Sequence, residues 1–375
     1  MSIIIGADLV PTTSNQEMFV QGRAEELVGE QLYGILKNAD YRIFNLEVPL
    51  TDCESPIVKN GPNLIAPTKT INGIKALGVE LFTLANNHIM DHGEKGLSDT
   101  INTLNNAGIN YVGVGANLKE ASCPYFFKVK GKKYGVYACA EHEFSIAESD
   151  KSGANPFDPL ESMDHVAHMK CACDYAIVLY HGGKEQYRYP SPNLQKVCRK
   201  FVEKGADLVV CQHSHCIGCS EEYHSGTIVY GQGNFLFDLC DNEYWRSAVL
   251  LEIDDNGVVH YYPIMKRGNS VQLASQEEAR RILDEFEERE RVIKEPGKVD
   301  SLYCEFAAST VNRYAINLSG AESNLVYRAM RKIFGNHFVN IFAQNYLEKN
   351  RITIRNYIEC EAHRELLLKG LKGSK

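Results

Sequence analysis

Six short polar clusters each follow an apolar run directly, and between them they hold the side chains of a divalent-metal site. Ile3-Ile4-Ile5 leads to Asp8, and Ile43-Phe44 leads to Asn45-Leu46-Glu47. The run 81–84 leads to Asn86-Asn87-His88 and, three residues on, to Asp91. The run 177–180 ends in His181, Leu208-Val209-Val210 ends in His213-Ser214-His215, and Val229-Tyr230 passes into Gly231-Gln232-Gly233-Asn234. Carboxylate, imidazole and amide oxygen are ligands for ions of the manganese, iron and zinc range. Two such ions about 3.5–4 Å apart can hold a hydroxide between them and clamp the attacking and leaving oxygens of a phosphoryl displacement. Singly, each cluster has a bland reading. Asp8 suits a helix cap or turn, Asn45 and Glu47 a polar turn, and His181 a hydrogen-bonded strand end. The pair His213 and His215 is less bland, because alternation along an extended chain puts both rings on one side.

Elements of a definite kind are needed to bring these clusters together. β-branched, apolar runs predict strands over Ile3–Ala7, Arg42–Leu46, Glu80–Leu84, Tyr111–Val114, Phe126–Lys130, Tyr134–Ala138, Tyr175–Tyr180, Ala206–Cys211, Thr227–Tyr230, Ala248–Ile253 and Val258–Pro263. Helical spacing of apolar residues predicts helices over Arg23–Lys37, Lys95–Ala107 and Asn193–Lys204. Strands alternating with helices imply an α/β domain with a largely parallel sheet, and the late strands, which follow one another directly, imply a mixed or second sheet. In such sheets ligands bind beyond the carboxyl ends of the strands, so clusters distant in sequence converge there. From about Ser275 the composition turns to charged helix formers around a thin stripe of Ile282, Phe286 and Val292. Helical patterns follow over Cys304–Ile316, Ser323–Glu348 and Asn356–Leu371. The expected division is an α/β domain over 1–268 and a helical C-terminal extension over 269–375.

Composition narrows the class. With 44% hydrophobic and 23% charged residues the chain is globular rather than disordered. A net charge of −8 gives no general attraction to nucleic acid or anionic membranes, so an anionic substrate must be drawn in by bound cations or a few basic side chains. No stretch approaches the roughly 18 apolar residues of a membrane span, and the N-terminal residues lack a basic leader pattern. A cytoplasmic location is expected, with the twelve cysteines read as buried, reduced thiols. The pair Cys171 and Cys173 reads as buried thiols at a helix end.

The segments NLEVPLTD (45–52), LANNHIMDHGEKGL (84–97), GVGAN (113–117), HGGKEQY (181–187), GADLVVCQHSH (205–215) and YGQGNFLFD (230–238) resemble, in order and spacing, the bacterial capsule-synthesis (CapA, poly-γ-glutamate-synthesis) family of the calcineurin-like metallophosphatase superfamily. The resemblance covers about residues 3–240 and leaves the helical tail without a counterpart. It implies a metallophosphatase-like four-layer α-β-β-α sandwich with two mixed sheets. It also implies two divalent ions (manganese, zinc or iron) at the strand ends, activating a hydroxide for phosphoester hydrolysis. Carried over by position, Asp8 and His215 match ligands of the first metal, Glu47 the bridging carboxylate, and Asn87, His181 and His213 ligands of the second. His88 matches the histidine that assists the leaving group, with Asp91 orienting it; Asn45, Glu185 and Asn234 are polar candidates for substrate contact or support. Val10 stands where the superfamily carries a further metal-binding histidine, and Gly6-Ala7-Asp8 replaces the family's adjacent Gly-Asp. Members commonly begin with an export or anchoring segment, and this sequence starts at its first strand.

The substrate expected is phosphorylated or polyanionic, a small molecule or a polymer linked to capsule or poly-γ-glutamate metabolism. Two alternatives stand beside the phosphoesterase. One is a capsule-polymer-handling protein with a degraded metal site, and the other is a metal-dependent amide hydrolase acting on γ-glutamyl links. CQHSHCIGC (211–219) also offers Cys216 and Cys219 for a zinc site, although four ligands within nine residues strain the chain. The loop charges Lys184, Glu185 and Arg188 read mainly as solvated. There is no G-x-S-x-G elbow and no G-x-x-x-x-G-K-[ST] loop, so serine-hydrolase and P-loop chemistry find no support.

Overall fold

The computed structural model describes residues 2–238 and 240–372, and these form two compact units, Met1–Val299 and Asp300–Lys375. In the first unit the strands are β1 (Ile3–Leu9), β2 (Tyr41–Leu46), β3 (Leu81–Thr83), β4 (Asn110–Val112), β5 (Val114–Gly115), β6 (Tyr125–Val129), β7 (Lys132–Ala140), β8 (Gly153–Ala154), β9 (Tyr175–His181), β10 (Leu208–Gln212), β11 (Ser220–Tyr223), β12 (Gly226–Val229), β13 (Ser247–Ile253), β14 (Val259–Arg267) and β15 (Ser270–Leu273). Its helices are α1 (Gln16–Val20), α2 (Ala24–Asn38), α3 (Ile71–Ala76), α4 (Gly93–Ala107), α5 (Leu118–Ala121), α6 (Glu161–Cys171), α7 (Pro192–Glu203) and α8 (Gln276–Lys294).

Two mixed sheets carry the unit. The first runs β15-β14-β13-β1-β2-β3-β4 and the second β11-β12-β10-β9-β7-β6. In the first sheet β1 to β4 are parallel and β13 to β15 join antiparallel at one side. In the second, β12, β10, β9 and β7 are parallel between two antiparallel edges.

The alternation of side chains shows how the layers stack. Ile3, Ile5, Ile43, Leu81, Val249 and Leu251 of the first sheet share one buried cluster with Val136, Ile177, Leu179, Leu208 and Val210 of the second. The two sheets therefore face each other. The opposite face of the first sheet, with Ile4, Phe44, Leu46 and Phe82, packs on α1 to α4. The opposite face of the second, with Val178, Val209 and Ile228, packs on α6 and α7. The result is a four-layer α-β-β-α sandwich. Ile282 and Phe286 of α8 join the cluster between the sheets, and α8 begins with a capping box of Ser275 and Glu278.

One irregularity matters for the site. Ile5 pairs with Ile43 and Asp8 with Asn45, so β1 carries one residue more than β2 over this stretch. A bulge of this kind reverses the alternation. Ile3 and Ile5 face the other sheet while Ala7 and Leu9 face the helices, and Asp8 falls on the same side as Ile5. Gly6 at the bulge lies against Phe44, whose Cε1 would be 1.9 Å from an added Cβ.

The structure differs from the sequence expectation where strands are short or polar. β11 contains two glutamates, and β5 and β8 are two residues each. Helix α6 buries only Ser162, Met163, Val166 and Met169, too sparse a stripe to stand out. Of the predicted thiol pair, Cys171 is exposed and Cys173 half-buried, so neither is the buried helix-end thiol expected; Cys53, Cys123, Cys240 and Cys304 are also exposed.

The second unit holds α9 (Lys298–Ser319, its first two residues in the first unit), α10 (Leu325–Glu359), broken at Gly335 by φ +60°, and α11 (Glu361–Leu371). A small core of Ala315, Ile316, Ala321, Tyr327 and Ala343 holds it together. No helix among the described residues is long and apolar enough to cross a membrane.

The bulge makes a specific demand on Gly6. Gly6→Ala is expected to destabilise the protein by about 1–3 kcal/mol through overpacking against Phe44. Urea unfolding of the variant measures this, and a loss below ~0.5 kcal/mol would show that the Phe44 ring has room to move.

Candidate metal centre

The inner-face side chains turn polar at the carboxyl ends of the strands. Asn45 and Glu47 follow Ile43 at two-residue steps, and His181 follows Ile177 and Leu179. The bulge brings Asp8 into the same set. All four are buried, with Asp8, Asn45 and Glu47 wholly inaccessible and His181 2% exposed.

His213 and His215 arrive differently from the sequence expectation. β10 ends at Gln212, and both histidines have left-handed backbones, φ +85° and +52°. They are not alternate residues of an extended chain. A turn presents them, and it is pinned where the Gln186 amide donates to the Ser214 carbonyl at 2.7 Å. Gly231 lets the neighbouring segment pass close by, since an added Cβ there would meet Ser214 Oγ at 2.7 Å. That segment continues to Asn234, which bridges to Asp8.

Two ligand groups result, Asp8 with Glu47 and His215, and Glu47 with His181 and His213, each with ligand atoms within 4.8 Å of one another. Glu47 belongs to both. Asn87 stands at the second group, its Oδ1 3.0 Å from His181 Nε2, and His213 Nδ1 lies 3.1 Å from the same nitrogen. Asn45 Nδ2 donates to Asp8 Oδ1 at 2.8 Å and approaches His181 Nδ1 at 3.2 Å, while its own Oδ1 accepts from Asn86 Nδ2 at 3.1 Å. Asn234 Oδ1 is 2.9 Å from His215 Nδ1.

Electrostatics separate the histidines. Burial drives His181 down to about 4 and His213 well below the usual imidazole range, helped by the neighbouring rings. Burial acts the same way on His215, but the Glu47 and Asp8 carboxylates outweigh it and raise this imidazole to about 9. Glu47 is pushed well up by burial and then by the charge of Asp8. Asp8 is also opposed by burial, yet His215, 3.5 Å from its Oδ2, and the charge of His181 bring it below the ordinary carboxylate range.

Both Glu47 oxygens, Asp8 Oδ2 and Asn234 Nδ2 are buried without a hydrogen-bond partner. Acceptor atoms in this state are costly unless a cation meets them. The donor set of carboxylate, imidazole and amide oxygen suits divalent transition ions, so these residues fit a metal centre. Cys216 and Cys219 are buried but belong to neither group. Val10 is buried in the helix-facing core.

The remaining candidates lie around this centre. His88 Nδ1 is 2.6 Å from Asp91 Oδ2, and the charge of His88 is felt at His181. Glu185 is exposed on the loop after β9, acting on Glu47 and His213 by charge alone. Arg188 is not merely solvated: it donates to the Ile217 carbonyl at 3.1 Å and lies 4.9 Å over the Tyr244 ring. Sequence reading missed three neighbours. Lys59 pairs with Asp91, Asn86 holds Asn45, and Trp245 packs 4.8 Å from the His215 ring. Asn86 stood inside a recognised cluster but without a role of its own, whereas nothing local distinguishes Lys59 in an irregular loop.

Residues 6–239 match the family described as bacterial capsule synthesis protein PGA_cap. The capsule biosynthesis protein CapA of Bacillus anthracis is 31% identical over 59% of this chain and 56% of its own length. A "Probable polyglutamine synthesis accessory protein" of Mycobacterium tuberculosis is 30% identical over 60% of this chain and 63% of its own. The chain thus spans less than two thirds of the curated relatives it matches. Among solved structures, a phosphatase from Mycoplasma pneumoniae covers 71% of this chain and 93% of its own at 16% identity and a TM-score of 0.43, a level that says nothing about the reaction.

The raised His215 imidazole has a pH signature in metal-free protein. Its folded value of about 9 exceeds the ordinary 6.5, so its contribution to stability is complete below pH 6.5 and vanishes as pH rises through 9. Thermal melts of chelator-treated wild type and His215→Gln should therefore differ most at low pH and converge above 9. A difference that stays constant across pH 6–10 would mean His215 carries no such charge.

Proposed function

The chain belongs to the bacterial capsule synthesis PGA_cap family, and from that membership and the buried carboxylate pair we propose that it is a metal-dependent hydrolase, acting as a phosphoesterase. The observation that carries this reading is the pair of wholly buried carboxylates, Asp8 and Glu47, three of whose four oxygens lack a hydrogen bond, flanked by three histidines. On this reading Asp8, Glu47 and His215 would hold one divalent ion, and Glu47, His181, His213 and Asn87 would hold a second; manganese, zinc and iron suit the set. Bound there, the ions lower the pKa of water toward neutrality and offset charge on phosphoryl oxygens.

The chain's own residues supply the rest. His88 has Nδ1 committed to Asp91 at 2.6 Å, so as the imidazolium it would give a proton to the departing oxygen from Nε2. Asn45 and Asn234 hold Asp8 and His215 in place at 2.8 and 2.9 Å. Arg188, in the loop after β9, is a cationic candidate for contact with a phosphorylated or polyanionic substrate. The names of the relatives make a capsule polymer or its γ-glutamyl precursors the substrate class to examine first.

A second reading draws on the relative described as an accessory protein and on Val10, which leaves the first ion without a ligand from that position. Here the same centre would bind polymer without cleaving it. A third keeps hydrolysis and changes the bond to a γ-glutamyl amide.

Turnover separates the three. Manganese-loaded protein should hydrolyse bis-aryl phosphates, and His88→Ala should slow this ~100–10,000-fold with metal content unchanged. Cleavage of γ-glutamyl peptides in place of phosphodiesters would support the amide reading. Tight polymer binding with neither activity would remove the hydrolase.

A further inference from the structure

After β2 the chain runs from Thr51 to Pro67 without strand or helix. A segment this irregular, with Val58 fully exposed, would ordinarily be loose. Instead it is tied along its length to the stretch that carries His88. The Ser55 amide donates to His92 Nδ1 at 2.8 Å, the Ile57 amide donates to the Asp91 carbonyl at 3.0 Å, and the Leu64 amide donates to Asp91 Oδ2 at 2.6 Å. Asn63 braces the strap by donating to the Ile57 carbonyl at 3.0 Å.

The strap's effect is to bury one cation. The Lys59 side chain is only 3% exposed and its ammonium is ion-paired with Asp91, which is wholly buried. The same nitrogen lies 3.2 Å from His88 Nδ1. An ammonium has donors and no acceptor, so it cannot receive a hydrogen bond from His88 and acts on the ring through their shared carboxylate. Asp91 takes Lys59 on Oδ1, and Leu64 N–H and His88 on Oδ2. A carboxylate already accepting from an ammonium and an amide is an acceptor toward the imidazole too, so Nδ1 carries the proton in that contact. Nε2 is then the nitrogen left free, with no hydrogen-bond partner among the described residues.

We infer that Lys59 is a positioning residue: by completing the donor set of Asp91 it fixes the orientation and proton-bearing nitrogen of His88 at the metal centre. Its consequence for turnover rests on the hydrolase reading, whereas its effect on the His88 ring does not. Without Lys59, Oδ1 of a buried carboxylate has no donor, and Asp91 can turn to share the two that remain. The ring then loses its single orientation although the ions and their ligands are untouched.

The test compares full-length wild type, Lys59→Met, Lys59→Arg and Asn63→Ala by NMR with the histidine ring nitrogens labelled, assigning His88 by its absence from His88→Ala. Wild type should show His88 protonated on Nδ1, with that proton protected and downfield. Lys59→Met should lose that proton to exchange, and Lys59→Arg should retain it in part. Asn63→Ala, which loosens the strap and leaves the ammonium, should keep it. In manganese-loaded protein, Lys59→Met should lower kcat about tenfold or more with KM and metal content unchanged. An unchanged His88 signal in Lys59→Met would overturn the inference, as would an equal loss in Asn63→Ala, which would make Lys59 only an anchor of the strap. If Lys59→Met does not fold, a His88 spectrum in folded Lys59→Arg with Nδ1 bare and the proton on Nε2 alone would overturn it, and a protonated Nδ1 would support it. A wild type without turnover would remove the hydrolase reading and leave the NMR result to decide the role of Lys59.

Discussion

Two carboxylates, Asp8 and Glu47, share a space from which water is excluded, and the surrounding structure answers that constraint. Neither is accessible, and three of their four oxygens have no hydrogen bond. Like charges in low dielectric cannot both persist unless something positive stands between or beside them. Among the described residues the positive charge beside Asp8 is the His215 imidazolium, at 3.5 Å. His181 and His213 are held neutral by burial, as ligands for a cation must be. A site that keeps two carboxylates bare and two imidazoles deprotonated is built around positive charge from outside the chain.

The placement of these groups follows from sheet geometry. Inner-face positions of both sheets are apolar while the sheets face each other, and become polar at the strand ends, so Asn45, Glu47 and His181 extend the core outward as a polar floor. Asp8 would fall on the helix side of β1 were it not for the extra residue between Ile5 and Asp8. The left-handed turns at His213 and His215 complete the ring from the opposite sheet. Non-glycine residues in that conformation are uncommon and cluster at functional sites, consistent with a turn kept for where it aims two rings.

Much of this was legible from the chain. The polar residues after the runs 3–5, 43–44, 81–84, 177–180 and 208–210 do meet in space, because strand ends in an α/β sheet point the same way. What local pattern could not supply was phase and contact. The two-residue spacing of His213 and His215 suggested an extended chain, yet the strand stops at Gln212 and backbone turns do the work. The insertion at Gly6-Ala7 was visible as a departure, but its role in rotating Asp8 appears only once β1 is paired with β2. Lys59 lies in a stretch with no periodicity at all, so its contact with Asp91 is a tertiary fact without a local signal. Edge strands such as β11, short and charged as exposed edges tend to be, also escaped the apolar pattern.

Metal content per folded chain tests the central point most directly. Protein purified without chelator, resupplied with Mn²⁺ and freed of loose metal should carry about two equivalents by elemental analysis, and Glu47→Gln should lower the occupancy of both. Essentially no bound metal in a well-folded sample would contradict it, because the carboxylates of Asp8 and Glu47 would then be tolerating each other without the cations that their burial requires.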